Sequence, residues 1–148
     1  MKRILFSFCF LYTAIAFGQK GDYAYKPVPF TSVQLTDNFW MPRIKVNHMV
    51  TIPASFERCE STGRVKNFVM AANRSGKFCT IFPFDDTDIY KTIEGASYSL
   101  SLFPDPKLSA YLDSLIAIVG RAQEPDGYLY TARTINPDSV HPWSGKVR

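Results

Sequence analysis

Between Ile89 and Leu100, apolar and small residues recur at steps of three and four. Ile89, Ile93, Ala96, Ser97 and Leu100 fall on one stripe of a helix. Asp86, Thr87 or Asp88 can cap its start, where carboxylates suit the helix dipole, and Phe103-Pro104 ends it. A second stripe follows at Leu108, Tyr111, Leu112, Leu115, Val119 and Ala122. Asp105 stands ready as its N-cap, Pro106 as its first-turn proline, and Glu124-Pro125-Asp126-Gly127 as its stop. So short a link predicts that the two helices are antiparallel neighbours.

The earlier pattern is more broken. Residues 43–50 read as one helical segment, interrupted at Thr51-Ile52-Pro53 because a proline disfavours helix in the residue before it. Pro53 then opens a second segment that runs through Phe56 to about Thr62, where Gly63 can end it. Residues 64–72 read as helical and 73–77 as a turn. Val33 and Leu35 alternate with polar neighbours, which predicts a short strand or extended edge. Phe39-Trp40 reads as an anchor against the domain body. The segment from Thr131, with Pro137, Pro142 and Gly145, reads as loop.

The predicted hairpin has a chemical consequence. Each helix is roughly 22 to 26 Å long at 1.5 Å per residue. Antiparallel helices of matched length place the start of one beside the end of the other. Phe84-Asp85-Asp86-Thr87-Asp88 and Ala122-Gln123-Glu124-Pro125-Asp126-Gly127-Tyr128-Leu129 should then share one face. Carboxylates, an amide and tyrosines together suit sugar hydroxyls, which need donors and acceptors alike. Paired carboxylates also fit glycoside hydrolysis. Helix capping and an Asp-Gly turn account for the same residues without any ligand. Lys91 and Glu94 read as a surface ion pair.

Composition narrows the picture. The 148 residues suit one modest domain, and 46% are hydrophobic. Twelve Phe, eight Tyr and two Trp fit either sugar stacking or an aromatic core. The net charge is +4, but Lys2 and Arg3 account for two of those positives and the other basic residues are scattered. That is too weak a charge to argue for a nucleic-acid partner, and none is expected. Lys2 and Arg3 precede the apolar run Ile4 to Phe17, and Ala16-Phe17-Gly18 offers small residues for cleavage. Residues 1–18 therefore read as a signal peptide, 19–32 as an extended lead-in and 33–148 as the folded part. The run is shorter than the roughly 20 residues of a spanning helix, so export is expected rather than stable membrane insertion. After cleavage Cys59 and Cys79 remain, as a disulfide or as two free thiols. With His48 and His141 they show no zinc-ligand spacing.

Four runs in order resemble glycoside hydrolase family 127, whose characterised members are β-L-arabinofuranosidases. They are Val33 to Trp40; Thr62-Gly63-Arg64-Val65 with Asn67-Phe68; Phe84-Asp85-Asp86-Thr87-Asp88-Ile89-Tyr90-Lys91 to Ala96; and Ala122 to Leu129. Thr87 stands where the family commonly has Ser, and Thr92 where an apolar residue is common. The resemblance implies an all-α fold, the incomplete N-terminal part of an (α/α)6 toroid. It implies a retaining exo-β-L-arabinofuranosidase acting on plant-type oligosaccharides or glycans. Such an enzyme has a zinc-held cysteine nucleophile and a separate acid/base glutamate. The positions that carry those groups fall beyond Arg148, so no catalytic residue and no zinc ligand is expected in this chain, which should be inactive alone. The resemblance implies that Asp86, Asp88, Gln123 and Asp126 support the substrate pocket. A secreted helical protein that binds glycan or a partner without catalysis, or another (α/α)6 enzyme such as an unsaturated glycuronyl hydrolase, is the alternative.

Overall fold

The computed structural model describes residues 24–138; the signal-peptide reading of residues 1–18 lies outside them, as does His141. Among the described residues there are six α-helices: α1 Trp40–Val46, α2 Ile52–Ser61, α3 Arg64–Ala72, α4 Asp86–Leu102, α5 Pro106–Ala122 and α6 Thr131–Ile135. A single 3-10 turn, Phe30–Ser32, precedes them. No strand occurs among the described residues. Val33 takes extended backbone angles, but it has no neighbouring strand to pair with.

The break expected at Thr51-Ile52-Pro53 is instead a widened turn. Residues Asn47–Thr51 form one π-helical turn, and the Ile52 N–H donates to Asn47 O, five residues back. Pro53 explains the widening. It has no N–H to give to Met49 O, and its ring would crowd that carbonyl in an ordinary α-helix. The helix therefore runs on through the proline with one wide turn. Gly63 ends α2 as expected, with φ +87. A Cβ built on it would lie 2.9 Å from Cys79 Cβ, so the position needs glycine for space as well as for angle.

The core lies where α2, α3, α4 and α5 meet. Ile52, Phe56 and Cys59 of α2, Val65, Phe68 and Ala71 of α3, Ile89 and Ala96 of α4, and Leu112, Leu115 and Ala122 of α5 form one buried cluster. Each set recurs at helical steps, which is why these faces turn inward. Burying one side chain as large as Phe68 contributes about 2 to 3 kcal/mol. The α5 stripe and its Asp105 cap hold: Asp105 accepts from Lys107 N and Leu108 N. The short link does bring α4 and α5 into contact, but the most extensive partner of α5 is α3.

Four other expectations are corrected. Trp40 is 57% exposed and Phe39 about as much, so they do not anchor the domain. They stack edge-to-face on each other at 5.0 Å, and the Arg43 guanidinium covers the Phe39 ring. Asp37 fixes the pair by accepting from Phe39 N and Trp40 N. Ser97 is exposed, and Ser99 is the buried serine of α4. Lys91 turns to the Thr87 hydroxyl at 3.4 Å rather than to Glu94. Residues 131–135 are helix α6 rather than loop, held at Thr131 by Asp86 and at Thr134 by Glu124. Cys59 is a buried free thiol and Cys79 an exposed one.

Candidate functional site

The turn before α4 places three carboxylates in a row, and each has a different surrounding. Asp86 is only 6% exposed. Its Oδ2 accepts from the Thr131 N–H at 2.8 Å and its Oδ1 from the Thr131 hydroxyl at 2.6 Å. It therefore ties the start of α4 to the start of α6 and does not cap α4. The α4 N-cap residue is Asp85, in helical angles, with no side-chain cap bond. Burial pushes the Asp86 carboxyl above the usual range; the two Thr131 bonds oppose that shift, and the nearby Asp85 charge adds to it.

Asp88 faces the other way, toward α3. Its Oδ2 accepts from Arg64 Nε at 2.6 Å, and Arg64 Nη2 lies 3.4 Å from Asp85 Oδ1. Arg64 Nη1 donates to Thr62 Oγ1, so the whole guanidinium is engaged. Gln123 and Asp126 lie at the other expected patch, in the turn after α5, and both are exposed. Gln123 Nε2 donates to Gly127 O at 2.7 Å, and Asp126 Oδ1 accepts from Tyr128 N at 3.0 Å. Gly127 supplies the positive φ that the turn requires.

Asp86 of the first patch bonds Thr131, which lies two residues beyond the second patch. The four residues themselves are not brought together: Asp86 bonds α6, Asp88 bonds α3, and Gln123 and Asp126 bond within their own turn. Tyr rings flank the junction. The Tyr90 hydroxyl is buried with no hydrogen-bond partner. Burial first, and the Asp86 charge second, push both Tyr90 and Tyr130 up from the usual phenol range.

Sequence reasoning missed three residues. Arg74, at φ +49, donates to Ala71 O, Ala122 O and Gln123 O, and so closes the ends of α3 and α5 together. Asn67 is fully buried, donates to Thr80 Oγ1 and accepts from Cys79 N. Its place beside the apolar Val65, Phe68 and Ala71 was the available signal, since a polar residue next to a buried face must find partners. Thr131 carried no local signal at all.

A groove of about 660 Å³ opens between α2 and α4, lined by residues that include Ser55, Arg58, Cys59, Arg64, Asp88 and Lys91. Asp88 is the one residue of the four expected that lines it. Burial pushes the Cys59 thiol up, away from the thiolate that a metal or an electrophile would need. No three His, Cys, Asp or Glu side chains converge among the described residues. The described residues therefore do not fit a zinc centre, and no chemical step is assigned through one. No helix among them is long and apolar enough to cross a membrane.

Residues 32–147 match the family model of the β-L-arabinofuranosidase GH127 catalytic domain. A solved GH127 β-arabinofuranosidase is 60% identical and superposes on 82% of this chain and 19% of its own, with a TM-score of 0.71. A GH127 β-L-arabinofuranosidase from Geobacillus stearothermophilus T6 is 34% identical over 72% of this chain and 18% of its own, with a TM-score of 0.68. A non-reducing end β-L-arabinofuranosidase of Bifidobacterium longum subsp. longum is 48% identical over 48 residues, 32% of this chain and 7% of the relative. The chain thus spans less than a fifth of the length of these relatives, and its helices correspond to part of the (α/α)6 toroid.

Proposed function

Because the chain belongs to the β-L-arabinofuranosidase GH127 family, carrying part of its catalytic domain, we propose that it is the opening section of an exported exo-glycosidase that releases terminal β-L-arabinofuranose, with retention, from plant-type glycans. The observation that carries this reading is the 60% identity to a solved GH127 β-arabinofuranosidase across most of this chain. In this reading the zinc, the nucleophile and the acid/base group belong to the longer enzyme, and residues 1–148 alone turn over no glycoside. The signal peptide at residues 1–18 directs export.

Asp86, Asp88, Gln123 and Asp126 act as positioning residues around the pocket. The geometry supports that role over direct sugar contact for Asp86, both of whose oxygens are occupied by Thr131. Gln123 and Asp126 hold the turn that delivers Tyr128, and Arg64 holds Asp88. Sequencing the coding DNA past the Arg148 codon and assaying the longer product on a terminal β-L-arabinofuranoside tests the proposal. Release of L-arabinose by the longer product, and none by residues 1–148, is the expected result. A product that cleaves only unsaturated uronides would transfer the chain to another (α/α)6 activity.

A further inference from the structure

We infer that the groove between α2 and α4 binds the carboxylate of an acidic sugar, a uronate. The saccharide half of this inference rests on the glycan reading above, and the anionic half on the groove alone.

Two cations on its walls lack a carboxylate partner. The Arg58 guanidinium, exposed on α2, makes no hydrogen bond or ion pair among the described residues, whose ion pairs are both made by Arg64. Lys91 Nζ on α4 has the Thr87 hydroxyl at 3.4 Å as its hydrogen-bond partner. The carboxylate on the wall, Asp88, is already neutralised by Arg64 at 2.6 Å. Of the acidic residues of α2, Glu60 accepts from Tyr111 and does not line the groove, nor does Glu57. The Cys59 thiol is held neutral by burial. The groove therefore presents net positive charge with free donors, which suits one carboxylate.

The hydroxyls on the walls narrow the ligand further. Ser55 Oγ donates its hydrogen to Thr51 O at 2.8 Å, and Thr92 Oγ1 donates to Asp88 O at 2.7 Å. With its single hydrogen committed to the backbone, the Ser55 oxygen on the groove wall can only accept from a ligand, whereas the Thr92 hydroxyl is also bonded to the Cys59 thiol. An acceptor calls for a ligand that brings hydroxyl donors, which a sugar has and a phosphate dianion lacks. Val50 and Ala54 add apolar surface of the kind that meets the C–H face of a pyranose. At about 660 Å³ the groove falls within the usual range for small-ligand sites. Arg58 and Lys91 would take the carboxylate, and Ser55 a ring hydroxyl.

The test is a titration of the 148-residue chain, followed by amide NMR, with D-galacturonate, D-galactose and acetate in parallel. Galacturonate should shift the amides around Ser55, Arg58, Lys91 and Thr92, and added salt should weaken it. Arg58→Gln and Lys91→Gln should each weaken galacturonate about tenfold, the usual scale for one charged hydrogen bond. Both side chains are exposed, so unchanged far-UV circular dichroism confirms that the variants stay folded. Galactose binding as tightly as galacturonate overturns the anionic half; acetate binding as tightly overturns the saccharide half. A double variant that binds like the wild type overturns both. None of these readouts uses arabinoside turnover, so their failure and the failure of the glycosidase reading are told apart.

Discussion

Asp86 gives both carboxylate oxygens to one residue, Thr131, 45 positions further along the chain. The pair is buried, and with the packing of α6 on α3 it holds a five-residue helix at that point. A helix as short as α6 does not hold alone in water. Asp86→Ala should leave the buried Thr131 N–H without a partner and cost about 1 to 3 kcal/mol. Asp86→Asn should cost less than about 1 kcal/mol, because its oxygen accepts one bond and its amide donates to the Thr131 hydroxyl. Urea midpoints of the two variants check this; equal losses would contradict it.

The same carboxylate sets a pH dependence. Burial raises the Asp86 pKa in the folded chain above its unfolded value. The folded state then binds the proton more tightly than the unfolded state. The Asp86 contribution is most favourable below the unfolded pKa and falls as pH rises through the folded pKa. Asp86→Asn lacks this titration, so its stability relative to the wild type should improve from about pH 3 toward neutrality. Denaturation curves of both proteins across that window give the sign, and an improvement toward acid would refute the assignment.

Arg74 joins the ends of α3 and α5. Its guanidinium reaches Ala71 O in α3 and Ala122 O and Gln123 O at the end of α5. Arg74→Ala should cost about 1 to 3 kcal/mol, since terminal carbonyls of two helices lose a charged donor together. Arg74→Lys should recover only part, because an ammonium cannot span the carbonyls as a planar fork does. Thermal midpoints of both variants order them.

Gly63→Ala should destabilise by about 1 to 3 kcal/mol. The new Cβ meets Cys79 Cβ at 2.9 Å, and φ +87 strains any residue that has a side chain. Gly120→Ala is the control: it has open space around it in α5 and should stabilise slightly. A shared direction of change in the two variants would be inconsistent with this reading.

The fold was legible where the physics is local. Asp105 and Pro106 announce the start of α5, and Gly63 announces the end of α2, because caps and positive φ are set by the neighbouring residues. The Asp86 site was legible only in part. An aspartate ahead of an apolar stripe reads as a cap, and nothing near it in sequence points to Thr131. The failure at Thr131 is the same one seen from the other side, since that stretch has no periodicity and its helix is held by distant partners: Asp86, Glu124 and the packing of Ala132 and Ile135. Phe39-Trp40 misled for another reason. Aromatic residues announce burial, yet these two cover each other on the surface, with an arginine over the Phe39 ring.

The wide turn at Asn47–Thr51 fixes the rotational phase of α1 relative to α2. Each residue advances a helix by about 100° and about 1.5 Å. Shortening this turn by one residue would swing α1, with its Phe39–Trp40 pair, about a quarter-turn around the axis that α2 continues. It would also carry His48 off Ser99, to whose hydroxyl its Nδ1 now bonds at 2.9 Å. The number of residues in that one turn, more than their identity, aims the front of the chain.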